Sequence, residues 1–150
     1  MELVQDTPER VFPVGRLDEQ KTGMLIVTND GDFAYKLTHP KHELSKTYLV
    51  QINGIISKEK ITKLCRGVDI GGYITAPAKI EVVKQSAKSA ILEVRISEGK
   101  NRQVRKMFAA VGCRVKELER TAIGDVRLGR LKQGHLRKMT RGEIESLRGE

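Results

Sequence analysis

The stretch Ser89-Ala-Ile-Leu-Glu-Val-Arg-Ile-Ser-Glu-Gly-Lys-Asn-Arg-Gln-Val-Arg-Lys-Met-Phe-Ala-Ala-Val-Gly112 changes its hydrophobic period once, and that change decides the fold class. Across residues 90–97, Ala90, Leu92, Val94 and Ile96 occupy every second position, the period of a half-buried strand. From Asn101 onward Val104, Met107, Phe108 and Val111 recur at helical spacing, with Asn101 as the expected cap and Gly112 suited to the C-terminal turn. At about 100° per residue, Arg102 and Lys106 point away from the apolar stripe and Arg105 lies on its border. Arg105 is therefore expected half-buried beside a cleft, with its neighbours facing solvent or phosphate. Working outward, residues 78–84 read as a strand. Tyr48, Val50 and Ile52 alternate with Thr47, Leu49 and Gln51 in another that ends at Asn53-Gly54. Ser57 can cap a helix whose stripe is Ile61, Leu64, Cys65 and Val68. Met24 to Val27, entered from Thr22-Gly23 and closed by Asn29-Asp30-Gly31, reads as a buried strand. Phe33, Ala34 and Leu37 suggest a short helix that must stop before Pro40. Thr140 with Glu143 forms a capping box for a last helix carrying Ile144 and Leu147. Strands and helices intermingle at hairpin or single-helix spacing, so the expected class is α+β, a mostly antiparallel mixed sheet with flanking helices.

At 150 residues a single domain is expected, long enough to bury roughly 68–70% of its unfolded surface. Lys and Arg number 28 against 19 Asp and Glu, a net charge of +9. That excess is not spread evenly: residues 99–142 carry 13 of the basic residues and only Glu117, Glu119 and Asp125 against them. One contiguous third holds all the surplus, the footprint of a polyanion-binding surface rather than of a uniformly solvated one. A membrane face fits less well, since no long basic amphipathic helix with Trp or Phe anchors exists to lie on lipid. With 3 Phe, 3 Tyr and no Trp, a sheet that stacks successive bases is not expected, and backbone and shape contacts should dominate. The longest aliphatic run, Met24 to Val27, is far too short to span a bilayer, and Glu2, Asp6 and Glu9 argue against a secretory leader. Cys65 and Cys113 stand apart without a C-x-x-C pattern, which fits a reduced, cytoplasmic protein.

Three constellations could carry chemistry. Gly15-Arg16-Leu17-Asp18 precedes the first buried strand, where a guanidinium could hold a partly desolvated carboxylate ionised as a nucleophile. Taken alone, a loop aspartate is more often a cap or turn residue. Lys46-Thr47-Tyr48 places a lysine and a tyrosine on one strand face, a pattern that core packing also produces. Asn101 to Lys106 could open a phosphate-binding helix or simply be a solvated basic face. His39 and His42 lack a third ligand nearby, and no Walker loop or G-x-G-x-x-G occurs.

In their order these pieces resemble one family. Val11-Phe-Pro-Val-Gly-Arg-Leu-Asp18, Thr22-Gly-Met-Leu-Ile-Val-Thr-Asn-Asp-Gly31, Leu37-Thr-His-Pro40, Lys46-Thr-Tyr48, Glu98-Gly-Lys-Asn-Arg-Gln-Val-Arg-Lys-Met107 and Leu118-Glu-Arg120 together resemble the catalytic domain of RsuA/RluB-type (RsuA/RluB/RluE/RluF) bacterial ribosomal RNA pseudouridine synthases. The resemblance runs from about Val11 to about Leu147. It implies that Asp18 is the nucleophile that attacks the target uridine, at ribose C1′ or uracil C6, and that Tyr48 stacks on the flipped base and assists proton removal from C5. It further implies that Arg105 pairs with the catalytic aspartate, Arg16 contacts RNA near the extruded base, Leu118 packs on the base, and Lys46 shares the tyrosine's motif. Arg102 and Lys106 would meet phosphate. The implied partner is ribosomal RNA or a pre-ribosomal particle, 23S more than 16S. The reaction is an isomerisation and calls for no cofactor, metal or nucleotide. The alternative is a non-catalytic RNA-binding module on the same scaffold.

One departure carries its own expectation. Members of this family usually begin with an S4-type RNA-binding domain and a strand with an Asn-Lys-Pro motif, neither of which precedes Val11 here. The chain is thus expected to be a catalytic-domain fragment, weak or inactive by itself. An uncovered sheet edge could then lead to dimerisation or aggregation.

Overall fold

The computed structural model describes residues 12–14, 17, 22–38, 44–131, 133 and 135–148. Its frame is a six-stranded sheet in the order β2 (Thr22–Gly23), β7 (Val115–Ile123), β4 (Lys46–Asn53), β6 (Ser89–Ile96), β5 (Lys79–Gln85), with β8 (Val126–Arg127) also paired to β7. Only the β2–β7 pairing is parallel; the rest are antiparallel, as the short hairpin spacings predict. Period-2 alternation gives the sheet one apolar face. Val50, Ile52, Leu92 and Val94 are buried there, while Glu93 and Arg95 stay exposed on the other.

Two helices cover the apolar face. Helix α2 (Lys58–Arg66) starts where Ser57 Oγ accepts the Lys60 N–H at 3.2 Å and contributes the fully buried Leu64. It ends at Gly67, one residue before the stripe position Val68. Helix α3 (Gln103–Ala110) buries Val104, Met107 and Phe108 against the same face. Because β6 and β7 flank β4 and both run antiparallel to it, α3 crosses over β4 on its way between them. The expected Asn101 cap is not formed. Arg102 occupies the N-cap with φ 52°, and the Gln103 side chain closes the turn instead by accepting the Lys100 N–H at 3.0 Å.

A second, smaller core sits at the C-terminal end of β7. It joins the pair β1 (Phe12–Val14) and β3 (Ile26–Thr28) to α1 (Gly31–Thr38) and α4 (Arg141–Arg148), with Met24, Phe33, Ile123, Val126 and Leu147 buried between them. Asp30 Oδ1 caps α1 through the Phe33 N–H at 3.1 Å, and its other oxygen meets Arg148 of α4 at 3.0 Å. The Thr140–Glu143 box is reciprocal: the Thr140 N–H reaches Glu143 Oε1 at 2.8 Å and the Glu143 N–H reaches Thr140 Oγ1 at 3.1 Å. The strand expected over Met24 to Val27 is broken. Gly23 and Met24 stay beside β7, and pairing with β1 begins only at Ile26.

The seam between the two cores is a close backbone contact. Gly23 has φ +119°, and a Cβ there would lie 2.2 Å from the Arg120 carbonyl oxygen, so only glycine fits. Beside it the Met24 N–H donates to the Arg120 carbonyl at 2.9 Å, and the buried Arg120 Nε–H donates back to the Met24 carbonyl at 2.9 Å. Among the described residues, no helix is long and apolar enough to cross a membrane.

Two stability outcomes follow from these contacts. Arg120→Met strands the Met24 carbonyl, which costs roughly 1–3 kcal/mol and should lower the thermal midpoint by several degrees; an unchanged midpoint would refute the seam's importance. The Glu143 carboxyl is held down to about 2 from 4.5, first by the hydrogen bond from Arg137 and then by the Thr140 N–H. A depressed carboxyl stabilises the fold above its unfolded pKa and loses that contribution as pH falls toward the folded one. The stability gap between wild type and Glu143→Gln should therefore shrink between about pH 4.5 and pH 2, followed by thermal melts across that window.

Candidate active site

The β4–β7–α3 junction gathers most of the residues singled out by sequence. Tyr48 is buried on β4, opposite Val94 of β6 and Arg120 of β7. Leu118, also buried, stands opposite Val50. Strand parity thus places Tyr48, Val50, Leu118 and Arg120 on the face that α3 covers. Lys46 lies two residues before Tyr48 and is half-buried. A Cβ on Gly99 would lie 3.3 Å from Lys46 Nζ, which places the ammonium against the β6–α3 turn.

On α3, Arg105 is half-buried at the border of the apolar stripe and Lys106 is exposed, as helical geometry predicts. Arg102 differs. It precedes the first helical turn, is only partly exposed, and among the described residues is the one non-glycine with positive φ. A left-handed L-residue costs roughly 1–2 kcal/mol, and strain of that kind tends to persist where a side chain is being aimed. Arg102 and Arg105 both line an open cavity of about 680 Å³ at the α3–β7 boundary.

Asp18 and Arg16 fall outside the described residues. The flanks of their loop are placed: Val14 pairs with Ile26, and Thr22 lies beside Glu119 of β7. Thr22 thus sits opposite Glu119, Leu118's neighbour on β7, while Val14 belongs to the small core. His39 and His42 also lie outside the described residues, and among those described no cluster of His, Cys, Asp or Glu could hold a metal ion.

Two residues quoted only as motif letters turn out to hold the site together. Glu98 is buried; it accepts the Tyr73 hydroxyl at 2.7 Å and the Ala76 N–H at 2.9 Å, which pins the turn carrying Arg102 to the segment before β5. Lys100 covers the same ring, its ammonium 4.6 Å from the Tyr73 centroid. Arg120, by its seam with Met24, anchors the far end of the Asp18 loop to β7. The signal for Arg120 was its i, i+2 spacing from Leu118, visible only once residues 115–123 are known to be a strand. Glu98 had no such signal, since its partners lie 22 and 25 residues away.

A family model described as RNA pseudouridylate synthase matches residues 3–110. The ribosomal large subunit pseudouridine synthase B of Bacillus subtilis is 42% identical over 149 residues, covering 98% of this chain and 61% of that protein. A ribosomal large subunit pseudouridine synthase E of Xanthomonas axonopodis pv. citri is 40% identical over 139 residues, covering 83% of this chain and 73% of that protein. A crystal structure of a pseudouridylate synthase superposes with TM-score 0.84 at 36% identity, over 91% of this chain and 59% of that one. The chain thus spans about three fifths of the length of several relatives it matches. A structure of an H/ACA ribonucleoprotein bound to a substrate RNA, at 18% identity and TM-score 0.59, shares the fold alone. The motif resemblance and these matches agree, and the chain belongs to the RNA pseudouridylate synthase family.

Proposed function

We propose that the protein converts a uridine of large-subunit ribosomal RNA to pseudouridine, with Asp18 as nucleophile. What supports the reading is that Tyr48 of β4 and Leu118 of β7 lie buried on one sheet face, that Arg105 of α3 is half-buried over that face, and that Thr22, which follows the Asp18 segment, pairs beside Glu119 of β7. In this reading the glycosidic C1′–N1 bond breaks, the uracil rotates, and a C1′–C5 bond forms. C5 loses a proton and N1 gains one, so atoms and electrons balance within the substrate and Asp18 is regenerated. Arg105 keeps the Asp18 carboxylate ionised by charge and hydrogen bonding. Tyr48 stacks on the base and assists removal of the C5 proton, while Leu118 gives the uracil an apolar wall. Arg16, Arg102, Lys106 and Lys46 contact the RNA. Extruding the base costs a few kcal/mol, which contacts between the basic segment and phosphate offset. The reading needs no second copy of the chain.

Asp18→Asn in the full-length protein should abolish pseudouridine formation and leave RNA affinity within about twofold; retained turnover would sink the assignment, and a matching collapse of affinity would favour a pure binding module. Arg102→Gly separates RNA contact from folding. Glycine relieves the left-handed backbone at a similar entropic cost of about 0.4–1 kcal/mol, so the thermal midpoint should hardly move. RNA affinity and its salt slope should both fall. An unaltered salt slope would remove Arg102 from the interface.

A further inference from the structure

The cavity beside Arg105 has a second cationic end that the roles assigned so far leave unused. Besides Arg102 and Arg105 it is lined by Asn53, Arg114, Val115 and Lys116, with no carboxylate among its lining residues. Arg114, just before β7, and Lys116, its second residue, are exposed. Their backbone is well fixed. Gly112 turns the chain at φ +77°, the Cys113 N–H donates to the Phe108 carbonyl at 2.8 Å, and the Asn53 N–H donates to the Arg114 carbonyl at 3.3 Å. Strand alternation then sorts the charges of this segment. Glu117 and Glu119 pair with Gln51 and Leu49 on the face away from α3, whereas Lys116 falls at the register shift beside Val115, which pairs with Ile52, and lines the cavity. The charged groups that line the cavity are therefore all cations. Lys116 lies two residues from Leu118, about 7 Å along a strand, the scale of one nucleotide step.

We propose that Arg114 and Lys116, together with Arg102, form a subsite for the phosphodiester backbone of the RNA strand continuing from the flipped uridine. The proposal rests on the reading of the site given above. Backbone, rather than base, is the ligand because the lining offers several donors of positive charge and no aromatic ring on which a base could stack. The subsite extends the site from the Tyr48 end of β4 toward its Asn53 end, so the strand would run along the α3–β7 boundary rather than across the sheet.

The test is a pair of double variants in the full-length protein. Arg114→Gln with Lys116→Gln removes two of the three subsite charges; Lys79→Gln with Lys84→Gln removes the same amount of charge from the outer strand β5. Binding of a ribosomal RNA stem-loop is followed against NaCl concentration, with kcat and KM for pseudouridine formation measured alongside. The subsite variant should flatten the log–log salt slope by about 1.4, at roughly 0.7 per single-strand phosphate contact. It should raise KM about fivefold or more and leave kcat within about twofold. The β5 variant should leave the slope as in wild type. Equal slopes for wild type and subsite variant, equal flattening by both variants, or a fall in kcat at constant KM would each overturn the proposal. Were the wild type to bind the stem-loop without forming pseudouridine, the catalytic reading would fail and the slopes would still decide the subsite.

Discussion

The contact of Gly23 and Met24 with Arg120 is the constraint on which the arrangement of the molecule turns. A backbone approach that excludes even a Cβ, closed by two reciprocal hydrogen bonds at 2.9 Å, joins a sheet built from residues distant in sequence to a small core built from both chain ends. Every additional atom at residue 23 would push β2 off β7. The guanidinium is buried, so its hydrogen bond to the Met24 carbonyl works in a low-dielectric setting where an unmade bond is costly. The consequence is positional. Val14, before the Asp18 segment, is fixed in the β1–β3 pair, and Thr22, after it, is fixed beside Glu119, so one flank belongs to each side of the seam.

The charges are arranged by secondary structure rather than by composition. On β7 the alternation of Glu117, Leu118, Glu119 and Arg120 sends Leu118 and Arg120 to the helix-covered face and the acidic side chains to the other. On α3 the helical period does the same with a different step, keeping Val104, Met107 and Phe108 inside, Arg105 at the border and Lys106 outside. Most of these cations are too exposed to stabilise the fold by more than a fraction of a kcal/mol each. Their mutual repulsion is tolerable because the two cores carry the stability, and the repulsion itself makes the surface ready for a polyanion.

The features legible in the sequence were those set by nearest neighbours. The Thr140–Glu143 box, the Ser57 cap, the alternation of β4 and β6 and the border position of Arg105 each depend on residues within a turn or on strict periodicity. The resemblance to pseudouridine synthases was legible for a similar reason, since its motifs are contiguous blocks. Strand β7 was not read as a strand, because charged residues fill its middle and its burial comes from β4 and the helix across it. The break at Met24 was hidden because residue 120 takes that backbone out of the β3 ladder. Asn101 has the chemistry of a cap, yet the turn is closed by Gln103 while Arg102 takes the strained position, an exchange that favours pointing a guanidinium over relaxing the backbone.

The proposed reaction meets an energetic problem that charge alone does not solve. Phosphate contacts made equally to the stacked and the extruded strand strengthen binding without helping the base leave its stack. Only contacts satisfied better by the distorted strand offset the few kcal/mol of extrusion. That requires cations whose positions do not follow the RNA. A flexible basic tail would adapt to either path and discriminate between neither. Here the cationic row starts where the chain enters its pairing with β4, held by the Asn53 N–H on the Arg114 carbonyl, and continues on a helix turn pinned through Glu98. Rigidity of those two elements, more than the number of charges they carry, is what would make the surface complementary to one strand path.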